Sequence, residues 1–355
     1  MMKRFIVVTI TVLLIGALIL CSCGGQPAPA GTADTSETIE LKCAFHLPAP
    51  SFPVKGPIKA WAKKIEEESG GRVKITLYPN AALVKMRDEY NAVETGLVDM
   101  VVFTPAITPG LFPRCELVML PKLFPTAEVA GNVFHELIEK YCVDTELKNT
   151  KFLWVLTFPP MNLHGTEQVY TLEEFKGKKI RTEGKVESWT VEALGATGLN
   201  MDTMEIFTSV ERGLIDEFFF LWEGVLVFGF TEITQYRTKC DMFARGFPCV
   251  MNRDSWNSLP PDIQEIFTKN SGQAMSTKAG AEFDIANAES MALVADFDKE
   301  VGNPAIHTLS EDENARWLEA VSPVIEQWAS EGEAEGIPAR AMLDDAHDLI
   351  AKYSK

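Results

Sequence analysis

The sequence predicts two α/β lobes, each built on an open sheet in which helices separate successive strands. Apolar residues make up 46% and charged residues 23% of the 355 residues, which is typical of a globular chain with about two domains. From Leu41 onward, short strand patterns alternate with helical patterns. The segment at 90–103 also recurs at 207–220 with six identical residues in 14, which indicates a duplicated lobe.

The overall charge excludes one broad class of partner. The chain has 33 basic and 50 acidic residues, a net charge of −17 and a pI of about 4.8. Nucleic acid is therefore not an expected partner, because phosphate binding requires a basic surface. Any small anion must be bound by a local cationic site that acts against the overall charge.

The N-terminus predicts export. Lys3 and Arg4 precede an apolar run of about 16 residues at 5–20, which is typical of a signal peptide and shorter than the ~20 residues of a spanning helix. The polar, Gly/Pro/Ser/Thr-rich residues that follow predict a flexible tether. We expect a signal peptide at 1–22, a tether at 23–39 and an extracytoplasmic location.

The end of the apolar run resembles a bacterial lipobox, Leu20-Cys21-Ser22-Cys23-Gly24. Cys23 is the better candidate for lipidation, because Leu20 is too bulky to precede a cleavage before Cys21. An ordinary signal peptide cut after a small residue is the alternative. The expected partner at this end of the chain is the membrane, through a lipid anchor.

The first lobe shows the alternation most clearly. The predicted elements are a strand at 41–47, a helix at 54–65, a strand at 73–77, a helix at 86–93 and a strand at 99–103. This order implies a doubly wound sheet, in which ligands bind beyond the carboxyl ends of the strands. That rule nominates Phe103 and Thr104 in one lobe and the 220–223 segment in the other.

The last hundred residues are predicted to be mostly helical. Helical patterns cover 258–267, roughly 274–300 and 310–331, and Ser310-x-x-Glu313 is a capping-box pattern. The acidic clusters in this region are expected to form solvated helix faces.

Motifs of catalysis and of metal binding are not found in the sequence. It contains no GxxxxGK[ST], GxGxxG, HExxH, GxSxG or CxxC motif, and its five histidines have no metal-ligand spacing. We therefore expect no cofactor, no metal and no enzymatic activity. Five cysteines remain after the lipobox; Cys240 and Cys249 could form a disulfide, and buried free thiols are the equal alternative.

Residues 171–181, Thr-Leu-Glu-Glu-Phe-Lys-Gly-Lys-Lys-Ile-Arg, resemble the Asp-Leu-Lys-Gly-Leu-Lys-Ile-Arg segment of TRAP-transporter solute-binding proteins, the DctP family. Other motifs of the family follow in its order along the mature chain. They are Gly70-Gly71-Arg72-Val73, Tyr78-Pro79, Val93-x-x-Gly96-x-x-Asp99, Phe112-Pro113, Leu120-Pro121, Leu194-Gly195-Ala196, Gly213-x-x-Asp216, Trp222-Glu223, Met251-Asn252-x-x-x-Trp256-x-x-Leu259-Pro260 and Trp328 with Gly336-x-Pro338.

The resemblance implies a two-lobe periplasmic-binding-protein-like fold of type II, with a cleft between the lobes and a long linking helix. The expected domains are lobe I at 40–157 with parts of 247–305, lobe II at 158–246, and C-terminal helices at 306–355 that pack on the lobes. It also implies capture of an organic anion by lobe closure and delivery to the permease subunits of a TRAP transporter.

The resemblance implies that Arg181, which ends the Lys-Ile-Arg strand, binds the ligand's carboxylate. A guanidinium group suits this role because it meets a carboxylate bidentately and stays charged. On its own, such an arginine would more often be a surface strand residue. His164 is a second candidate, either as a ligand contact or as a structural hydrogen-bond donor.

The remaining candidates lie near strand ends. Trp222 and Phe220 are expected to form an aromatic wall, with Glu223 beside them, while Phe218 and Phe219 are expected to be core residues. His46 and Ser51 follow the first strand, where the family often places contacts.

We therefore predict a lipid-anchored TRAP solute-binding protein for a small carboxylate with an aromatic, keto or short aliphatic body. The sequence departs from the family pattern at Glu217, where glycine commonly follows the aspartate, and at Leu221-Trp222-Glu223, which replaces an asparagine of the sialic-acid-binding branch. An aromatic-lined site fits poorly with a hydroxylated sugar acid, and a sulfonate remains open. The alternatives are a secreted enzyme that uses Glu223 or His164 as acid or base, and a ligand-sensing subunit of a receptor.

Overall fold

The computed structural model describes residues 38–108 and 110–354; the predicted signal peptide, Cys23 and nearly all of the tether lie outside these ranges. The strands of the described part are β1 (Ile39–Ala44), β2 (Val73–Tyr78), β3 (Met100–Val102), β4 (Thr150–Phe158), β5 (Asn162–Gly165), β6 (Lys179–Thr182), β7 (Thr197–Asn200), β8 (Glu217–Phe220), β9 (Tyr236–Lys239), β10 (Arg245–Asn252) and β11 (His307–Thr308).

The α-helices of the described part account for most of the remaining residues. They are α1 (Lys59–Glu68), α2 (Glu89–Glu94), α3 (Ala127–Tyr141), α4 (Leu172–Phe175), α5 (Lys185–Ala193), α6 (Ile206–Glu211), α7 (Trp222–Val227), α8 (Arg253–Ser258), α9 (Pro261–Asn270), α10 (Gly272–Val301), α11 (Glu311–Ala334) and α12 (Ala339–Tyr353). Within the described ranges, no helix combines the length and the apolar character needed to cross a membrane.

The strands form two sheets. The first has the order β2-β1-β3-β10-β4 and the second has the order β11-β9-β5-β8-β6-β7. Strands β1, β2 and β3 are parallel, as are β6, β7 and β8, which matches the βαβ pattern of the sequence. Each sheet also contains one reversed strand: β10 runs antiparallel to β3 and β4 in the first sheet, and β5 runs antiparallel to β8 and β9 in the second. The sheets are therefore mixed, because the chain leaves each one and later returns to it.

The internal repeat has the same hydrogen bonds in both sheets. Each copy ends a short helix at a glycine with positive φ, Gly96 at 76° and Gly213 at 66°. The following aspartate then accepts a backbone N–H from the neighbouring parallel strand, at 2.8 Å from Lys42 to Asp99 and at 2.8 Å from Lys179 to Asp216. The shared Val-Glu-x-Gly-Leu-x-Asp order thus encodes one structural unit used twice.

Two of the chain segments that cross between the sheets are paired with each other. Residues 159–161 lead from β4 to β5, and residues 240–244 lead from β9 back to β10. The N–H of Met161 donates to the Phe243 carbonyl at 2.7 Å, and the N–H of Met242 donates to the Met161 carbonyl at 2.8 Å. The Asn162 side chain accepts two more N–H groups, from Cys240 and Asp241. The crossings therefore behave as one short hydrogen-bonded strap.

The 30-residue helix α10 contacts elements beside both sheets, α3 and β4 with the first and α7 with the second. It corresponds to the long helix that the family resemblance implies. The chain then adds β11 to the edge of the second sheet, so the region 306–355 is not purely helical. Helix α11 packs on α5, and α12 packs on α3 and α11.

Local capping explains two of the helix starts. Thr171 and Glu174 form a complete capping box at α4, in the segment that resembles the family signature. At α11 the Ser310 hydroxyl accepts the N–H of Glu313, but the Glu313 carboxylate instead accepts the N–H of Leu172. At Ser310, where the sequence predicts a capping box, the half that Glu313 would form is therefore replaced by a tertiary contact. The five described cysteines are all buried and free.

The close approach of α3 and α10 requires glycine. A Cβ atom at Gly280 would lie 2.4 Å from the backbone oxygen of Ala127, and one at Gly131 would lie 2.8 Å from that of Ser276. No side chain can be accommodated there unless the helices move apart.

We expect Gly280→Ala to lower the free energy of unfolding by about 1–3 kcal/mol, because overpacking at this contact outweighs the gain of about 1 kcal/mol that alanine normally brings to a helix. Urea denaturation followed by circular dichroism measures the change. Ile285→Ala on the exposed face of α10 is the control and should change stability by less than about 0.5 kcal/mol. A more stable Gly280→Ala protein would contradict this account.

Candidate functional site

A cavity of about 490 Å³ lies where the carboxyl ends of strands from the two sheets face each other. Loops after β1 and β2, the end of β4 and the start of β10 line it from the first sheet. Segments after β6 and β7 and the end of β8 line it from the second. The lining residues are His46, Leu47, Pro48, Pro50, Ser51, Pro53, Asn80, Ala81, Met86, Phe158, Met161, Glu183, Asp202, Thr203, Met204, Glu205, Phe220, Leu221, Glu223, Gly224, Val227, Phe228, Arg245 and Phe247.

Most of the wall is apolar. Phe158 and Phe247 from the first sheet lie with ring centroids 4.2 Å apart, and Phe220 and Phe228 from the second lie 5.7 Å apart. Prolines of the loop after β1 and Met161 of the strap extend this surface. The cavity can therefore enclose an apolar or aromatic molecule between two aromatic pairs.

A buried ionic cluster forms the polar part of the wall. One oxygen of Glu183, Oε2, accepts from Arg181 Nη2 at 2.6 Å and lies 2.6 Å from Arg245 Nη1. Arg245 Nη2 donates to Glu187, whose other oxygen accepts the N–H of Glu183 at 2.7 Å. Because Arg245 belongs to the first sheet while Glu183 and Glu187 follow β6 of the second, this cluster joins the two sheets.

Three polar atoms of the cluster have no hydrogen-bond partner among the described residues. They are Arg181 Nη1, Arg245 Nε and Glu183 Oε1, all of them buried. Two of these atoms belong to residues that line the cavity, Arg245 and Glu183. Buried polar atoms are nearly always paired, so these three atoms are exceptions within the cluster.

Glu183 remains ionised over the whole physiological range. Burial raises its pKa, but the charges of Arg245 and Arg181 and their hydrogen bonds more than compensate, and its pKa falls to about 2. For Glu187, burial has the larger effect and the pKa is raised. Glu183 therefore carries a negative charge against the guanidinium groups of Arg181 and Arg245 even before a ligand is present.

Two further contacts join the sheets around the cavity. The carboxylate of Glu223 accepts the N–H of Phe52 at 2.7 Å, which ties the end of β8 to the loop after β1. Burial raises the pKa of Glu223. At the surface, Arg87 binds Asp202 at 2.9 Å. The structure is thus bridged across the cavity at its wall and at its rim.

Four of the candidate residues predicted from the sequence line the cavity: His46, Ser51, Phe220 and Glu223. His46 is held by Glu89, with Nδ1 3.0 Å from the carboxylate. The Ser51 hydroxyl donates to the Pro48 carbonyl at 2.7 Å and so shapes the loop.

Arg181 lies directly behind this wall. It is 1% exposed, it is not among the lining residues, and it reaches the cavity through Glu183. Its Nε donates to the Met201 carbonyl at 3.1 Å and its Nη2 also contacts Thr203, which does line the cavity.

His164 and Trp222 also lie behind the wall. His164 Nε2 donates to the Phe220 carbonyl at 3.2 Å, and its ring lies edge-on to Trp222 at 4.8 Å. Burial and the nearby charge of Arg237 together lower the pKa of His164 to about 3. Of the two roles considered for His164, this geometry provides the structural hydrogen bond.

Phe103 and Thr104 are buried away from the lining residues. Phe103 packs against Tyr90 and Phe112, with ring centroids 5.2 Å away in each case. Phe218 and Phe219 are core residues, as expected, with exposures of 0% and 2%.

Arg245, Glu183, Phe158 and Phe247 are site residues that were not recognised in the sequence. For Arg245, the sequence offers one indication: a charged residue begins the mainly apolar strand β10. An arginine buried in a strand requires a charged partner. Nothing in the sequence shows that this partner is Glu183, 62 positions earlier.

A possible metal-ligand group occurs away from the cavity lining. Cys115 and Cys142 have their sulfur atoms 3.8 Å apart, and Glu146 lies beside them. Arg114 already holds the Glu146 carboxylate through its backbone and its side chain. Burial and the contact with Cys142 keep the pKa of Cys115 well above its ordinary value, so its thiol is a poor ligand.

Comparison with known proteins decides the family. The model of the DctP family, described as bacterial extracellular solute-binding protein family 7, matches residues 45–331. The chain belongs to this family. It is thus the solute-binding component of a TRAP transporter, and its relatives are periplasmic receptors that work with membrane permeases. The predicted recognition and the two-lobe α/β fold with a long helix are confirmed.

Relatives of known structure share the fold at full length. A TRAP solute-binding protein from Rhodoferax ferrireducens T118, in complex with copurified benzoate, is 27% identical; the match covers 89% of this chain and 99% of that one, with a TM-score of 0.84. A marine metagenome protein specific for aromatic acid ligands, with 3-hydroxybenzoate, is also 27% identical, over 90% and 99%, with a TM-score of 0.84.

A relative known from its sequence is the C4-dicarboxylate-binding periplasmic protein DctP of Rhodobacter capsulatus. It is 26% identical over 331 residues, which cover 92% of this chain and 95% of that protein.

The buried His164 predicts a pH dependence of stability. Its pKa of about 3 in the folded protein lies below the ordinary value of 6.5, so the unfolded chain binds more protons between these values. The stability that this site contributes is therefore lost as the pH falls from about 6.5 towards 3.

We expect His164→Gln to reduce this loss, so that the stability difference between wild type and variant shrinks from pH 7 to pH 4. Urea denaturation at several pH values measures it, and His347→Gln, on the exposed face of α12, is the control. A parallel pair of pH profiles for wild type and His164→Gln would show that His164 is not the responsible group.

Proposed function

We propose that this solute-binding protein captures a small organic acid with one carboxylate and an apolar, preferably aromatic, body. The observation that carries the proposal is Arg245 in the wall of a largely apolar cavity, with Arg181 buried directly behind that wall. The guanidinium group of Arg245 is the cation that a ligand carboxylate would meet, and Arg181 adds a second positive charge behind it.

Electrostatics favours a single carboxylate over a dicarboxylate. Besides Glu183, the cavity is lined by Glu223, Asp202 and Glu205, whereas Arg245 is its one lining arginine. A second carboxylate at the far end of a ligand would face these acidic groups and no matching cation. The ligands named for the two structural relatives, benzoate and 3-hydroxybenzoate, fit this pattern better than the dicarboxylate named for the Rhodobacter capsulatus relative.

Burial makes the contact between the ligand's carboxylate and the arginines selective for an anion. A carboxylate bound between the sheets loses its water, and only a well-placed pair of guanidinium groups offsets that cost. A neutral analogue such as an amide would leave the donors poorly satisfied. Bound ligand would favour the arrangement in which the sheets are bridged, and this arrangement is the signal for the permease.

We further propose that binding occurs without turnover. The family consists of transport proteins, and the two candidate acid–base groups are engaged structurally, His164 with Phe220 and Glu223 with Phe52. Recovery of chemically unchanged ligand after prolonged incubation would support binding alone. The appearance of product would support the alternative of a secreted enzyme. Neighbouring genes for two integral membrane subunits would speak against a receptor subunit.

The arginine pair can be tested directly. We expect Arg245→Lys and Arg181→Lys to weaken benzoate binding at least about tenfold, because lysine keeps the charge but loses the guanidinium fork. Isothermal titration calorimetry measures the affinity. The shift of the melting temperature with ligand at about 1 mM gives an independent readout, since a ligand that binds only the folded state stabilises the protein.

Arg253→Lys, on helix α8 and outside the cavity lining, is the matched control and should bind like wild type. Succinate should bind more weakly than benzoate to wild type. If Arg245→Lys and Arg181→Lys both fold and bind benzoate as tightly as wild type, these arginines do not bind the ligand's carboxylate.

We also propose that Cys23 is lipidated and tethers the protein to the outer face of a membrane. The lipobox-like segment and the polar residues 24–39 support this proposal. Two signals are normally needed for stable lipid anchoring, and a diacylated or triacylated cysteine provides more than one chain.

We expect Cys23→Ala to move the full-length protein from the membrane fraction to the soluble extracytoplasmic fraction without loss of ligand binding. Cell fractionation and mass spectrometry of the mature N-terminus measure this. Cys21→Ala is the control and should remain anchored. A soluble wild-type protein would indicate the ordinary signal peptide instead.

A further inference from the structure

His46 is fixed at the cavity wall by a buried carboxylate. Its Nδ1 lies 3.1 Å and 3.0 Å from the two oxygens of Glu89, which is fully buried at the start of α2. Within the described part of the chain, the hydrogen bonds of this carboxylate are made with His46 alone. A buried carboxylate requires its partner, so the imidazole ring is held in one orientation.

The opposite edge of the imidazole ring is open to the cavity. The His46 side chain is 16% exposed and lines the cavity. Its Nε2 has no hydrogen-bond partner among the described residues and is not one of their buried unpaired atoms, so it is accessible. Because Nδ1 is turned towards a carboxylate with no exposure, the edge that carries Nε2 is the part of the ring that a ligand can meet.

Phe247 lies next to both His46 and the arginine proposed to bind the carboxylate. Its ring centroid is 5.9 Å from that of His46. It follows Arg245 by two residues on β10, about 7 Å along the strand, and both side chains line the cavity. Phe158, which pairs with Arg245 across the ladder, has its ring 4.2 Å from that of Phe247. An aromatic acid that packs on these two rings with its carboxylate at Arg245 therefore has His46 beside another position of its own ring.

We propose that His46 binds a hydroxyl group at the meta or para position of the ligand's ring, so that the preferred ligand is a ring-hydroxylated aromatic acid. This inference rests on the proposed function, since it assumes that Arg245 meets the carboxylate. A hydroxyl group suits Nε2 in either protonation state of the imidazole, because it donates to a bare nitrogen and accepts from a protonated one. An apolar group at this point removes water from Nε2 without replacing its hydrogen bond, which costs free energy.

The charges around the cavity favour a neutral hydroxyl group over a second carboxylate at this position. A positive charge on His46, when it is protonated, already faces the carboxylate of Glu89 at 3.0 Å. Glu223, Asp202 and Glu205 also line the cavity and would repel a second carboxylate. A hydroxyl group makes the hydrogen bond to Nε2 without adding a charge.

The test compares a hydroxyl group with a methyl group of similar size. Benzoate and the meta and para isomers of hydroxybenzoate and methylbenzoate are titrated by calorimetry into the mature wild-type protein. In a purely apolar cavity the methyl group would bind more tightly, because it buries apolar area and loses no hydrogen bond to water. We expect the opposite order at one of the two positions, with the hydroxyl isomer at least about fivefold tighter, as one net hydrogen bond provides.

Substitutions at His46 assign this preference to its side chain. His46→Phe and His46→Leu should reverse the order, so that the methyl isomer binds more tightly than the hydroxyl isomer, while benzoate binding is retained. Met86→Leu is the matched control, because it changes another lining side chain at similar volume and removes no donor or acceptor nitrogen; it should keep the wild-type order. Thermal unfolding without ligand establishes that the variants fold, and two replacements of different size keep the test available if one does not.

The outcomes separate this inference from the proposed function. If benzoate binds and neither hydroxyl isomer binds wild type more tightly than its methyl counterpart, the hydroxyl preference is overturned while capture of an aromatic acid stands. If the preference persists in the folded His46 variants, another lining group makes the contact and the role of His46 is overturned. If none of the five acids binds, the proposed aromatic acid function falls, and this inference falls with it.

Discussion

The hydrogen-bonded strap between the sheets is the constraint on which the site depends. Met161 and the 242–243 segment exchange backbone hydrogen bonds, and Asn162 fixes the returning chain through two further N–H groups. Two crossings held side by side connect the sheets so that the carboxyl ends of strands from both sheets face the same cavity. The cavity exists because these ends face each other, and Met161 itself forms part of its wall.

The ionic cluster shows what such an arrangement can do that a single sheet cannot. Arg245 starts β10 in the first sheet, whereas Glu183 and Glu187 follow β6 in the second. A buried charge without a partner is strongly unfavourable, so each side of the cavity needs the other. The ion pairs that join the sheets therefore also form the polar part of the cavity wall.

The acidic composition is compatible with an anionic ligand because the two act on different scales. The net charge of −17 belongs mainly to solvent-exposed groups, where water and salt screen it within about 10 Å. The buried arginines act at contact distance and are shielded from solvent. The ionised carboxylate of Glu183 lies between them and offsets part of their charge.

The parallel βαβ units, the repeated Gly-Leu-x-Asp junctions at Gly96 and Gly213, and the family can be predicted from the sequence, because they depend on local periodicity, capping and motif order. The sequence also nominates Arg181, His46 and Phe220 as ligand contacts, and of these His46 and Phe220 line the cavity. The contact between Arg245 and Glu183, and the position of Arg181 behind it, are visible only in the folded structure. Such a pairing joins residues from two sheets through the chain crossings, and no local pattern in the sequence records which distant strand ends will meet.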